Sequence, residues 1–176
     1  SPTNNIRMKS YEKIKEHSAV DWTIPISLGD SYRGYRVVAT DKNFLNHYQF
    51  HGDMKLRLDQ GEWSNGVFDV VLGSQVANNL EHKLSDPVIL SHGISEKAIF
   101  NHDSTPFRVT GVLAPTGTPV DKSLFITLYG MEAIHVGWEN GIPSSNVSLD
   151  KFKKENLETE QITSFVLRTK NRVALL

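Results

Sequence analysis

The sequence predicts an α+β domain, and three observations support this. Residues Met8–Ala19 place Tyr11 and Ile14 on one stripe at helical spacing, with lysines and glutamates on the wetter sides. Residues Phe107–Leu113 alternate, which is typical of a strand with one face on a core. Residues Leu124–Tyr129 are apolar on both faces, as in a strand that is covered on both sides. Short elements of both kinds therefore share one chain.

Length and composition limit the classes of protein. The chain has 176 residues, of which 39% are hydrophobic, enough for one ordinary domain or two small subdomains. Its formal net charge is -1, so no global basic field exists to attract nucleic acid or anionic lipid. It contains no cysteine, which excludes disulfides and thiolate metal sites. No apolar run approaches the roughly 20 residues that cross a bilayer. The polar first residues and apolar last residues suggest an excised piece of a longer protein, or else a small protein with an apolar tail.

The first fifty residues are predicted to form a helix, a hairpin and a second helix. The first helix is Met8–Ala19, with Ser10 as a candidate cap of a shorter version. The hairpin strands are Val20–Leu28, broken at Pro25, and Tyr32–Ala39, with the turn at Gly29-Asp30. Thr40 or Asp41 then caps a short helix that carries Phe44, Leu45 and Tyr48.

The sequence pattern changes near His51, and the middle of the chain is predicted to be rich in short strands. The predicted strands are Val67–Leu72, Val88–Leu90, Ala98–Phe100 and Phe107–Leu113. In the last of these, the alternation places Phe107, Val109 and Leu113 on one face and Arg108, Thr110 and Val112 on the other. Between the first two strands, Ser74 is expected to cap a helix in which Val76, Leu80 and Leu84 repeat every four residues.

A stiff loop, Ala114–Lys122, joins the two best-defined strands. Pro115 and Pro119 fix their own backbones and Gly117 permits a turn, so ordering the loop costs little conformational entropy. Its side chains are small or polar except Val120. We therefore expect an ordered projection that serves shape and contact, or simply a well-made connection between strands.

The C-terminal part is predicted to be a polar connector followed by one strand. Residues Gly137–Gln161 are polar and include a stretch after Asp150 that is either a short helix or a solvated connector. Residues Ile162–Thr169 alternate as a strand, and a helix is expected to begin near Lys170. The sequence pattern changes near His51 to short, glycine-separated elements and changes back after Val136. We therefore expect this last strand to pair with the N-terminal strands and not with Val67–Leu72.

The motifs of common enzymes are absent. Gly111 and Gly117 are separated by five residues with no lysine after them, whereas a phosphate-binding loop has four residues between its glycines and then a lysine. Ser74 follows Gly73 but lacks the Gly-x-Ser-x-Gly pattern of a nucleophile elbow. The residues therefore predict no catalytic site, no cofactor and no enzymatic activity.

The seven histidines are candidate metal ligands. They are His17, His47, His51, His82, His92, His102 and His135. His47 and His51 are four residues apart and would share a helix face, but Gly52 follows at once and no third ligand has a motif spacing. His102-Asp103 is a further candidate. Surface or capping histidines are the more common case, so no metal site is predicted. Trp22, Trp63 and Trp138 are expected to pack or to line a contact surface rather than stack on bases.

Four stretches, taken in order, resemble the periplasmic domain of MacB-like or FtsX-like ABC transporter permeases. They are YRVVATDKNFLNHYQF, FDVVLGSQVANNL, PFRVTGVLAPTGTPVDKSLFITL and ITSFVLRTK. Each motif consists mainly of glycine, valine and leucine at turns and strands. The resemblance lies in their shared order and spacing, and it covers nearly the whole chain. The charged stretch around HVGWENGIPSS is similar to permeases of unsettled substrate, so no cargo follows from the resemblance.

The resemblance implies an architecture and a role. A porter-like α/β subdomain, residues 1–50 plus 137–176, would carry an inserted β-rich, Sabre-like subdomain, residues 51–136. The domain would lie in the periplasm between two membrane helices of an inner-membrane permease. It would transmit ATP-driven helix motion without catalysis of its own. The implied partners are a cytoplasmic ABC ATPase, a periplasmic partner protein and a second permease copy, with no nucleic acid. The alternative is a periplasmic metal- or ligand-binding module that uses some of the histidines.

Overall fold

A computed structural model gives the fold and describes residues 5–90, 107–136 and 149–171. The strands in these ranges are β1 Ile6–Arg7, β2 Val20–Tyr32, β3 Tyr35–Thr40, β4 Gln49–Phe50, β5 Met54–Lys55, β6 Leu58–Gly61, β7 Asp69–Leu72, β8 Pro87–Val88, β9 Phe107–Leu113, β10 Ser123–Thr127, β11 Gln161–Ile162 and β12 Ser164–Thr169. The helices are α1 Met8–Lys15, α2 Lys42–His47, α3 Ser74–Asn79 and α4 Leu128–His135. None of these helices is long and apolar enough to span a membrane. The α+β class is confirmed.

One mixed sheet of eight strands organises the molecule. Its order is β12-β2-β3-β10-β7-β9-β6, and β8 also pairs with β9. The pairs β3–β10 and β7–β9 are parallel, while the other pairs are antiparallel. Two small ladders, β1–β11 and β4–β5, lie apart from it. The sheet therefore begins at the last described strand of the chain and passes next to the N-terminal hairpin.

Both faces of this sheet are covered. On one face, side chains of α3 and α4 pack on Val37, Leu124 and Ile126. On the other face, Phe44 of α2 and Trp63 pack on Phe125, with Phe44 and Phe125 ring centroids 5.0 Å apart. Every residue of β10 is buried, because this central strand has a core on each side. The two-sided apolar pattern of this stretch thus predicted its position correctly.

The N-terminal hairpin is longer than predicted, and its turn lies elsewhere. β2 continues through Pro25 without a break. The first β2–β3 pair is at Ser27, beyond Pro25, so the N–H group that proline lacks costs no hydrogen bond to β3. The predicted turn at Gly29-Asp30 is wrong: the register shift there marks an irregularity within the strand. The turn lies at Arg33 and Gly34, which both have positive φ values, 48° and 84°.

The caps agree with the sequence in one helix and differ in two. Asp41 caps α2 as predicted, since its Oδ1 accepts a hydrogen bond from the Asn43 amide at 2.9 Å. α1 begins after Arg7 and ends at Lys15, so Ser10 lies inside the helix and not at its cap. α3 begins after Gly73, without a side-chain cap, and ends at Asn79, before two of the predicted stripe residues.

A bulge in β9 reverses part of its predicted pattern. The β7–β9 register pairs Val70 with Val109 but Val71 with Gly111, so one extra residue enters β9. Phe107, Val109 and Val112 consequently share one core cluster, while Leu113 belongs to the opposite one. The predicted facing of Val112 and Leu113 is therefore wrong, because strict alternation assumes an unbroken ladder.

The predicted strand Leu124–Tyr129 is in fact a strand followed by a helix. β10 ends at Thr127, and α4 begins at Leu128. Thr127 Oγ1 accepts a hydrogen bond from the Gly130 amide at 3.0 Å and so caps α4. The helix was missed because its apolar residues continue the apolar run of the strand without a break.

The C-terminal strand pairs as predicted. β12 runs antiparallel to β2, with Val166 opposite Ile24, and it makes no pair with β7. In place of the suggested helix after Asp150, the chain forms short 3₁₀ turns at Leu149–Phe152 and Lys154–Asn156. The predicted strand Ala98–Phe100 and the helix expected beyond Lys170 lie outside the described residues, as do residues 137–148 of the polar connector.

The sheet crosses the boundary that was expected between two subdomains. β3 belongs to the predicted 1–50 part and β10 to the predicted 51–136 part, yet the two strands pair in parallel over five residues, from Ser123 opposite Arg36 to Thr127 opposite Thr40. The division into 1–50 plus 137–176 and 51–136 stays a prediction. Limited proteolysis that releases a stable 51–136 fragment would support it.

Candidate functional site

The loop Ala114–Lys122 folds back onto the molecule. A 3₁₀ turn, Pro119–Lys122, leads into β10 and contacts α3. Ala114, Thr116, Val120 and Asp121 are all buried, while the two prolines are exposed. The predicted projection is therefore wrong: the side chains of the loop point inward more than its composition suggests.

The carboxylate of Asp121 holds the loop closed. Its Oδ1 accepts hydrogen bonds from the Thr116 amide and the Thr116 hydroxyl, both at 2.8 Å, and its Oδ2 accepts one from the Gly117 amide at 2.8 Å. The Ser74 hydroxyl supplies a further hydrogen bond from α3. Burial alone would raise the pKa of Asp121, but these hydrogen bonds outweigh it, so the pKa lies below its usual range. The group is therefore a charged structural acceptor at neutral pH.

The hydrogen bonds to Asp121 affect whether this loop could bind a nucleotide phosphate. The backbone amides of Thr116 and Gly117 donate hydrogen bonds to Asp121. They are therefore not available to bind a phosphate. Gly111 lies within β9, away from any turn. Gly111 is thus part of a strand, and Gly117 is part of the closed loop.

Ser74 has a different role from the predicted one. It does not cap α3; its hydroxyl joins α3 to the loop through Asp121. The loop approaches so closely that a Cβ on Gly73 would lie 2.6 Å from the Asp121 carbonyl oxygen. Glycine at this position is therefore required by contact, and the serine after it is engaged in structure.

The described histidines are dispersed. α2 ends at His47, which stacks on Trp22 with ring centroids 4.7 Å apart, and His51 occupies the next turn with a φ of 46°. The two therefore do not share one turn of helix. Among the residues that the structure describes, no group of three His, Cys, Asp or Glu side chains could hold a metal ion. His92, His102 and Asp103 lie outside those residues, as does Trp138. Trp22 and Trp63 pack, as predicted.

One histidine links the end of β2 to the segment between α3 and β8. Tyr32 Oη lies 3.3 Å from His82 Nε2, and His82 Nδ1 lies 3.6 Å from Asp86 Oδ2. Asn79 donates to Tyr35 Oη at 2.9 Å, so both tyrosines of the β2–β3 turn are tied to the end of α3. Sequence periodicity gives no sign of this contact, because its members are 50 residues apart.

The entrance to β2 and the exit from β12 lie side by side. Val20 pairs with Thr169, and the Lys170 amide donates to the Ala19 carbonyl at 2.9 Å. The Lys170 ammonium group donates to the Ser18 carbonyl at 2.8 Å. Segments that come from distant parts of the chain are thus fastened together at one end of the sheet.

Comparisons with known proteins locate the fold. No family model matches the chain, and no curated protein sequence matches it. The extracellular domain of the noncanonic ABC-type transporter YknZ from Gram-positive bacteria is similar over 98% of this chain and 76% of its own, at 12% identity and a TM-score of 0.53. A domain of a protein described as a permease, from Porphyromonas gingivalis, is similar over 98% of this chain and 64% of its own, at 12% identity and a TM-score of 0.52. The periplasmic region of MacB from Actinobacillus actinomycetemcomitans gives 13% identity and a TM-score of 0.49 over 94% of this chain and 79% of its own.

At these identities the likeness concerns the fold. The first two structures share their arrangement with almost all of this chain, which confirms the fold expected from the resemblance of the four sequence stretches. The chain thus has a fold similar to that of the extracellular domain of an ABC-type transporter.

Proposed function

We propose that this chain is the extracytoplasmic, periplasmic domain of an inner-membrane ABC transporter permease. In this role it does no chemistry. It transmits the ATP-driven movement of membrane helices to a cargo or a partner outside the membrane. The observation that carries the proposal is the similarity of fold over 98% of the chain to the extracellular domain of one such transporter.

The geometry at the base of the sheet supports this role. A domain inserted between two membrane helices needs its entering and leaving segments close together, so that both can reach the same membrane. Here β1, the first described strand, pairs with β11 just before β12, and the residue after β12 is joined to the residue before β2 by a backbone hydrogen bond of 2.9 Å. The first and last described segments are therefore each held by hydrogen bonds to the chain around β2 and β12, through which a displacement of either segment would reach the sheet.

The expected partners follow from the same role. ATP would be bound by a separate cytoplasmic ATPase, because this sequence has no phosphate-binding loop motif. A second permease copy and a periplasmic protein complete the proposed assembly.

Location can be tested with a single introduced cysteine. The chain has none of its own. In the full-length permease, freed of other cysteines, Asp53→Cys places a thiol in the exposed turn between β4 and β5. A membrane-impermeant maleimide should label it in intact cells. The matched control, Val37→Cys, is fully buried and should react only after denaturation. Labelling of the Asp53 variant only in lysed cells would refute the proposed location.

The contact role of the loop is a separate part of the proposal. Pro115 and Pro119 are exposed, so serine at both positions removes stiffness without touching Asp121. Each change should cost about 0.4–1 kcal/mol through the unfolded state. We expect the double variant to fold but to transport its cargo poorly, whereas Pro87→Ser, an exposed proline on β8, should leave transport unchanged. Unchanged transport in the double variant would reduce the loop to a connection.

A further inference from the structure

A polar groove of about 340 Å³ opens at the edge of the sheet between α3 and β6. Ala77 and Val112, which are only 6% and 7% exposed, form its apolar floor, while the exposed side chains of Asp59, Gln60 and Asn78 supply polar groups. Its volume lies within the usual range for sites that bind small molecules. The groove therefore combines a place for an alkyl chain with a place for a polar head.

A bulge in β6 directs two polar side chains to this groove. The β6–β9 register pairs Leu58 with Leu113 and then Gln60 with Val112, which leaves Asp59 without a partner residue on β9. Neighbouring residues of a regular strand face opposite sides, but a bulge re-aims one of them. Both Asp59 and Gln60 consequently line the same groove.

The polar side chains of the groove differ in whether they interact with other residues of the protein. His82 and Ser74 also line it, but His82 contacts Tyr32 and Asp86, and Ser74 is bonded to Asp121. Within residues 5–90, 107–136 and 149–171, the side chains of Asp59, Gln60 and Asn78 make no hydrogen bond and no ion pair with one another or with any other residue. One carboxylate and two amides are thus available to a ligand.

The charge of the groove selects the class of ligand. Asp59 contributes a carboxylate, and none of the described residues that line the groove is Lys or Arg. An anion would meet uncompensated repulsion, whereas a cation gains an ion pair and hydrogen bonds to amide oxygens.

We propose that this groove binds an alkyl cation, with its ammonium or guanidinium head at Asp59 and its alkyl chain on Ala77 and Val112. The head group belongs either to a small free molecule or to the basic side chain of a polypeptide. Asp59 supplies charge, and the amide oxygens of Gln60 and Asn78 accept the remaining N–H groups of the head.

The test is an NMR titration with isosteric pairs of probes. n-Butylguanidinium is compared with n-butylurea, which has the same shape and no charge. Acetyl-Gly-Arg-Gly-amide is compared with its citrulline counterpart. The side-chain amide signals of Gln60 and Asn78 report directly on the site. The variants are Asp59→Asn, which removes the charge, and Asp53→Asn, an exposed control in the β4–β5 turn.

We expect saturable shifts of the Gln60 and Asn78 amide signals with the cationic probes and none with the urea probes. Because an exposed ion pair contributes about 1 kcal/mol, Asp59→Asn should weaken binding about fivefold, and the control should leave it unchanged. Tighter binding of the arginine peptide than of n-butylguanidinium identifies a polypeptide side chain as the ligand, and equal binding identifies the head group alone. Non-saturable shifts, equal shifts with the urea probes, or unweakened binding to the Asp59 variant would overturn the proposal.

Discussion

Replacing Asp121 by asparagine should test how the loop Ala114–Lys122 is held. Asparagine keeps the size of the side chain, but an NH₂ group replaces one of the two acceptor oxygens. If the remaining oxygen faces Thr116, the NH₂ group faces the Gly117 amide, so two donors point at each other. Because Asp121 is only 2% exposed, water cannot replace the lost acceptor.

The size of the effect follows from the bonds that are lost. A hydrogen bond to a charged acceptor contributes about 1.5–3 kcal/mol, and an unsatisfied buried donor costs about 1–3 kcal/mol. With at least one bond lost and one donor unsatisfied, the free energy of unfolding should fall by about 3 kcal/mol. In a domain of this size, that corresponds to a Tm lower by about 6–12 °C. Urea unfolding should show a lower midpoint at an unchanged slope.

The pH dependence gives an independent check of the same reasoning. Because the fold lowers the pKa of Asp121, its stabilisation is present above the ordinary value of 3.8 and is lost as the pH falls through the folded-state pKa. The difference in unfolding free energy between wild type and Asp121→Asn should therefore be constant near neutral pH and shrink in acid. Asp53→Asn, at an exposed turn, should change stability by less than about 0.5 kcal/mol. A loss below about 1 kcal/mol in Asp121→Asn would contradict the structural role of the carboxylate.

Three further predictions concern packing, charge and one hydrogen bond. Gly73→Ala should destabilise by about 2 kcal/mol or more, because its Cβ would overlap the loop backbone, whereas Gly29→Ala, with open space around it, should be nearly neutral; thermal unfolding of both variants decides this. Burial, together with a neighbouring carboxylate, raises the pKa of Glu132, so its charged form costs stability as the pH rises from 4.5 through the folded-state pKa. Glu132→Gln should therefore gain stability relative to wild type across that window in urea unfolding, and parallel pH curves would contradict this. Tyr11→Phe should cost about 1 kcal/mol, since it removes the buried 2.8 Å contact with Thr23 Oγ1; an unchanged urea midpoint would show that this bond contributes nothing.

The sheet was predictable from the sequence where side chains follow local periodicity. Alternation located β9 and β12, and an apolar run on both faces identified β10 as a central strand. Asp41 was recognisable as a cap because capping is a contact within three residues. Each of these signals is local, so the sequence carries it without knowledge of the fold.

Long-range geometry accounts for most of the errors. The bulge in β9 depends on its register with β7, so the reversal of Val112 and Leu113 has no local signature. The Asp121 network depends on a loop folding back on itself and on Ser74, which lies 47 residues earlier in the chain. An aspartate shortly after threonine and glycine in a proline-rich loop was the available signal. By composition alone, this stretch predicts only a polar connection.

Under the proposed function, the pairing of β3 with β10 limits how this domain could carry motion. The two strands match over five residues in the middle of the sheet, and Val37, Leu124 and Ile126 at this seam are fully buried. Opening the seam would break several backbone hydrogen bonds, each contributing about 1 kcal/mol, and would expose core on both faces. Native domains have only about 5–15 kcal/mol of stability, so such an opening approaches global unfolding. If the domain transmits motion as proposed, the sheet should move as one body, with motion reaching it through β2 and β12. A disulfide that locks β3 to β10 should leave transport intact, and loss of transport would instead indicate a hinge at this seam.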